Sequence, residues 1–207
     1  LHEYFEGILR RQAEDLAKRW KIEVTPLLAV GQPHREITRV ERENCVDLVV
    51  LGAMGEHPVR EFFLGATAER VIREAAVPVL VVRNEPNEKY RRVLAPHDLS
   101  MHRPAVAQLA RRIASTARLT LAHAFEVPFE GKLKFAGVSE ADIQRFRHEE
   151  RQLALAALQA LAEGLDDRPD VRVELGMPEA AIPELVRETA ADLVVVGKHG
   201  KSEVIEL

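Results

Sequence analysis

The sequence predicts an α/β protein built as two tandem copies of an open parallel β-sheet with helices on both faces. Three observations predict it. Gly31, Pro33, Ile37, Glu43, Asp47, Leu48, Val49, Val50, Gly52 and Gly55 recur as Gly176, Pro178, Ile182, Glu188, Asp192, Leu193, Val194, Val195, Gly197 and Gly200, a fixed offset of 145 residues with no insertion. A repeat of that length is a domain, not a solenoid period. Short apolar runs alternate with longer segments at helical spacing, as in strands joined by helical crossovers. Val46–Leu51 and Val77–Val82 are almost continuously apolar, the composition of strands buried on both faces.

Along the first copy, Ile8, Leu9, Ala13, Leu16, Ala17 and Trp20 place a helix over 6–20. A strand follows at 24–30, Gly31 turns the chain, and Pro33 opens a helix that runs to about Asn44. Next come a strand at 46–51, a loop at 52–55, a helix at 67–75 and a strand at 77–82 with Pro78 near its start. The polar stretch Asn84–Lys89 is a linker, dividing the chain into 1–84, 85–89 and 90–207. The second copy reads as strand 93–95, helix 104–115, strand 119–125, a long loop 129–139, a helix to Ala162 capped by Ser139 and Asp142, strand 171–175, helix 179–189 and strand 193–196. Tyr90–Arg145 has no counterpart before Leu1, and Phe63–Arg83 has none after Leu207, so each copy is expected to be incomplete in this chain.

The composition, 46% hydrophobic and 30% charged with a net charge of −4, offers neither a nucleic-acid-binding surface nor a basic membrane face. No apolar run approaches the roughly 18 residues of a membrane span. The single cysteine, Cys45, forms no disulfide framework and is expected to pack as a small residue. The eight histidines show no metal-ligand spacing. Arg35, Arg39 and Arg42, with Glu36 and Glu43, read as a solvated helix face.

In open parallel sheets, ligands sit beyond the carboxyl ends of the strands, so the loops that follow strands matter most. One is Gly52-Ala53-Met54-Gly55, followed after nine residues by Gly65-Ala66-Thr67 at a helix start. Glycines admit an anion close to the backbone, and a helix N-terminus supplies free N–H groups and a favourable dipole. The alternative is that Gly52 and Gly55 only turn the chain. Another is Pro96-His97-Asp98, where the carboxylate either accepts from an adenine amino or ribose hydroxyl group or caps the next helix. His97 and His199 either touch a ligand or face solvent; His123 either lines a pocket or packs.

Together, Pro96-His97-Asp98, the pair VDLVVLGAMG (46–55) and ADLVVVGKHG (191–200), and the G-x2-G-x9-G of Gly52, Gly55 and Gly65 with the later VPVLVVR (77–83) resemble the universal stress protein (UspA-like) family, in its tandem two-domain type. The resemblance implies a five-stranded Rossmann-like sheet of order 3-2-1-4-5 in each copy, with ATP at the switch point and Mg²⁺ accompanying it. It places Gly52, Ala53, Met54, Gly55, Gly65, Ala66 and Thr67 around ribose and phosphates, Pro96, His97 and Asp98 on the adenine side, and Gly197 and Gly200 on the second phosphate loop. It further implies a cytoplasmic stress-response protein, a ligand-linked switch or partner-binding protein, with a pseudo-dimer of the two domains or a homodimer. One departure stands out: the family motif has a hydroxyl residue after the last glycine, and here Ala66 follows Gly65. The alternative function is therefore a nucleotide-free dimeric scaffold. No serine or histidine stands in a hydrolytic context, and Ala95–Ser100 lacks the glycines of an adenylating loop, so no catalytic residue is assigned, slow ATP hydrolysis aside.

Overall fold

The computed structural model describes residues 2–53, 64–83, 89–99, 105–127 and 130–197. They group into two units, Leu1–Glu85 and Pro86–Leu207.

The first unit contains α1 (His2–Trp20), α2 (Pro33–Glu43), β1 (Val49–Gly52), α3 (Ala66–Glu74) and β2 (Val79–Val82). β1 and β2 pair in parallel with Val49 opposite Val79 and Gly52 opposite Val82. The helix α2 starts at Pro33, whose fixed φ suits the first turn, and ends at Asn44, whose side-chain amide donates to the Val40 carbonyl at 2.9 Å. Its inner face is unexpectedly polar: His34, Thr38 and Glu41 are buried, and α2 packs on α3.

The second unit runs β3 (Arg92–Pro96), α4 (Ala105–Ile113), β4 (Arg118–Phe125), α5 (Glu130–Phe135), α6 (Glu140–Glu163), β5 (Asp170–Leu175), α7 (Pro178–Thr189) and β6 (Leu193–Val194). Its sheet has the order β5-β4-β3-β6, with every pair parallel. Counted along the unit, that is third, second, first, fourth. Consecutive residues of a strand point to opposite faces. Val93, Leu94 and Ala95 are all buried, as are Leu119 to Ala122, so helices cover both faces of this sheet. On one of them, Ile182, Leu185 and Val186 of α7 close over Leu94 and Ala122. The buried positions of α6 are Ile143, Ala154, Leu158 and Ala162, and this helix packs on β4 and β5. Gly176 carries the chain from β5 into α7 at φ +133°, a backbone conformation that disfavours any residue with a Cβ.

Four expectations are corrected. Residues 24–30 form no strand, and Leu27 and Val30 are exposed. At the repeat offset they match β5, which among the described residues is held by β4 alone. The first unit has no counterpart of β4 among its described residues, so this segment meets no edge to pair with. For a related reason β1 is not buried on both faces: among the described residues it has one strand neighbour, and Val50 is 57% exposed. The expected loop 129–139 contains α5, which Gly131 does not prevent. Cys45 is exposed rather than packed, because it leaves the end of α2 with a left-handed φ of +50°.

Candidate functional site

The carboxyl end of β1 and the start of α3 meet through a short backbone circuit in the first unit. Ala53 N–H donates to the Val82 carbonyl at 2.8 Å, extending the β1–β2 ladder, and the Ala53 carbonyl accepts from Gly65 N–H at 2.9 Å. Gly52 and Ala53 are thereby brought beside Gly65, although ten undescribed residues separate Ala53 from Leu64. Gly65 is the N-cap of α3 and offers no side chain to its amides. Its φ of −62° is open to any residue, so glycine matters here for the missing side chain, not for backbone freedom. The N–H groups of Ala66, Thr67 and Ala68 have no intrahelical acceptor and sit at the positive end of the helix dipole. Ala66 and Thr67 are exposed. Such an end fits a phosphate group. Met54 and Gly55 lie outside the described residues.

The second unit presents the end of β3. Pro96 pairs with Ala122, and His97 N–H donates to the Ala122 carbonyl at 2.7 Å. Beyond it the chain turns: Leu99 has a left-handed φ of +58°, and its N–H donates to His97 Nδ1 at 2.9 Å. His123 Nδ1 lies 2.7 Å from the His97 carbonyl oxygen. Asp98, between these anchors, is half-buried, with Oδ2 withdrawn from solvent. So His97, Asp98 and His123 are assembled at one strand end. Gly197 is exposed just after β6, the neighbour of β3. Gly200, His199 and Ser100 lie outside the described residues.

Two acidic residues do work that sequence reasoning did not assign. Asp192 accepts from Arg91 N–H at 2.8 Å and Arg92 N–H at 2.9 Å, at the opposite end of the sheet from Asp98. The repeated aspartate Asp47/Asp192 is thus a strand clamp in the second unit, not a ligand contact. Glu41 Oε1 accepts from Ala76 N–H at 2.8 Å and Val77 N–H at 3.1 Å, fixing the connection between α3 and β2. A cavity of about 240 Å³ lined by Arg111, Arg118, Asp167 and Arg168 lies at the amino ends of β4 and β5, away from the switch point. Among the described residues no three His, Cys, Asp or Glu side chains converge as a metal site. Nor is any described helix long and apolar enough to cross a membrane.

Comparison with known proteins gives the chain a family and a fold. A sequence model of the universal stress protein family matches residues 2–83 and 89–207. Universal stress protein MJ0577 of Methanocaldococcus jannaschii is 31% identical over 77 residues, 37% of this chain and 45% of that protein. Universal stress protein Mb2028c of Mycobacterium bovis is 30% identical over 179 residues, 79% of this chain and 56% of that protein. The chain spans about half the length of these curated relatives. In fold it is similar to the crystal structure of a universal stress protein from Archaeoglobus fulgidus, with a TM-score of 0.68 at 21% identity, covering 95% of this chain and 67% of that one.

Proposed function

Because this chain belongs to the universal stress protein family, matched over residues 2–83 and 89–207, we propose that it binds an adenine nucleotide, ATP with Mg²⁺, at the carboxyl ends of its strands. The observation that carries the reading is the circuit Val82–Ala53–Gly65, which sets the uncapped start of α3 beside the end of β1. A triphosphate there meets backbone N–H donors and a helix dipole, each charge-assisted contact worth roughly 1.5–3 kcal/mol. In the second unit, at the end of its own β3, Asp98 supplies a carboxylate suited to an adenine amino or ribose hydroxyl group of a separately bound nucleotide. Mg²⁺ carried in with the triphosphate would offset its charge, since among the described residues no three His, Cys, Asp or Glu side chains converge to hold the ion themselves. The activity is binding, not turnover, and it serves as a ligand-linked switch or partner-binding function in a cytoplasmic stress response, with pairing of two sheets as the partner surface.

Calorimetric titration of ATP with Mg²⁺ tests this. Binding in the micromolar range is expected, falling at least tenfold in Gly65→Val, whose side chain would stand over the α3 amides. Equal affinity in that variant would move the phosphate site away from α3. A second reading, the nucleotide-free scaffold, is favoured by Ala66, which has no hydroxyl to offer a phosphate. A wild-type chain that releases no nucleotide on denaturation and shows no heat with ATP would establish it.

A further inference from the structure

The turn after β3 is held by two imidazoles whose tautomers follow from their partners. Leu99 N–H donates to His97 Nδ1, so that nitrogen keeps its lone pair and a neutral ring carries its proton on Nε2. A carbonyl oxygen only accepts, so the contact from His123 Nδ1 to the His97 carbonyl requires a proton on His123 Nδ1. The two rings therefore answer acid differently. A protonated His123 still donates from Nδ1. A protonated His97 turns Nδ1 into a donor facing the donor Leu99 N–H, and that bond is lost. Leu99 adopts φ +58°, a conformation costly for a residue with a Cβ, so the turn depends on this bond.

We propose that His97 is a positioning residue for the ligand site of the second unit: its neutral imidazole holds the Asp98 turn closed, and taking up a proton opens it. Binding at this strand end then weakens with acid. This rests on the reading of the strand end as a nucleotide site. The helices packed on this sheet turn apolar residues towards it, Ala107 from α4, Ile143 from α6 and Leu185 from α7. Ionisable groups at this strand end include Asp98 in the turn itself, His123 on β4, whose Nδ1 reaches the His97 carbonyl, and Glu174 on β5, opposite Ala124 in the register. The sign is the same throughout: the closed turn binds one proton fewer than the open one, so it is populated at neutral pH and lost as pH falls.

The test has two parts. Long-range ¹H–¹⁵N spectra of histidine-labelled protein at about pH 7.5 should show His97 as the Nε2–H tautomer and His123 as the Nδ1–H tautomer, and Leu99 amide protection should fall between about pH 7.5 and about pH 5.5, the range over which histidines change charge. In a Gly65→Val background, which removes the first unit's phosphate site, ATP with Mg²⁺ should bind at least tenfold more weakly at the lower pH. In the same background His97→Asn, whose amide oxygen takes the place of Nδ1 without titrating, should bind at the neutral-pH level at both values. His97→Phe should bind weakly at both. An Nδ1–H tautomer at His97, or a pH loss in His97→Asn equal to that of the Gly65→Val chain, overturns the proposal. If the Gly65→Val chain binds no ATP at either pH, the nucleotide reading of this strand end fails, and the tautomers and the Leu99 exchange still decide the latch.

Discussion

Glu41 shows how one residue escapes a sequence reading. It lies on α2 among Arg35, Arg39, Arg42 and Glu43, and that helix reads as a charged surface. Much of it is one: Arg39 donates to Glu36 at 3.0 Å and to Glu43 at 2.5 Å, both exposed contacts, and these carboxylates hold the Arg39 guanidinium above its ordinary pKa, Glu43 most strongly. Glu41 itself is 4% exposed and turned inward to the α3–β2 connection. The signal was present in the repeat, since position 41 matches Val186, on the inner face of α7. Replacing Glu41 with that valine should leave the Ala76 and Val77 amides without their acceptor and destabilise the first unit by about 1–3 kcal/mol. Glu41→Gln keeps an acceptor oxygen and should retain most of the stability. Urea denaturation of both variants checks this, and equal stability of Glu41→Val and wild type would show the contact to be incidental.

At the level of elements, most of the second unit was legible because its periodicities are complete: the apolar strands find neighbours, and the helices find a sheet. Ser139 was legible as a cap, and its hydroxyl oxygen accepts from Asp142 N–H at 3.1 Å at the start of α6. Ser139→Ala should cost about 1 kcal/mol, seen as a lower thermal midpoint with an unchanged fold. Residues 24–30 were misread because strand character is realised only against a partner, which no period-two pattern can supply. The short helix α5 escapes a sequence reading because a side chain outside it, Arg147 of α6, helps to hold it. Glu130 accepts from Arg147 of α6 at 3.0 Å and 2.5 Å, and Lys134 lies 2.9 Å away. The Arg147 hydrogen bond, then that of Lys134, holds the Glu130 carboxyl below its ordinary value of 4.5. A carboxylate with a depressed folded-state pKa stabilises above its unfolded value and loses that contribution as pH falls through the folded one. Protection of the α5 amides, corrected for intrinsic exchange, should therefore fall in wild type below about pH 4.5. It should be low in Glu130→Gln at every pH, and a parallel pH response in the two proteins would sink the assignment.

For the whole molecule, the repeat predicted two copies of one fold, and the described residues do divide into two units, each with its own buried residues. The repeat also conveyed that they are unequal, since Tyr90–Arg145 has no counterpart before Leu1. The second unit closes four strands around Leu94, Leu119 and Leu121, all almost fully buried, while the first pairs two strands and leaves Tyr4, Trp20 and Val50 exposed. The loops that carry the candidate site follow strands, as expected; of the histidine contacts beside them, that of His97 with Leu99 is local, while that of His123 with the His97 carbonyl spans 26 residues and has no spacing to read. Units with separate cores need not unfold together. Leu94→Ala, which removes a fully buried side chain from the central strand β3, should cost the second unit about 2–5 kcal/mol and leave amide protection in α2, α3 and the β1–β2 ladder unchanged. Glu41→Val should do the reverse. Hydrogen exchange resolved by segment reads both at once. If either substitution lowered protection equally in both units, the chain would be one cooperative body, and a ligand at one strand end would be felt at the other; independent responses would confine each ligand's effect to the unit that binds it.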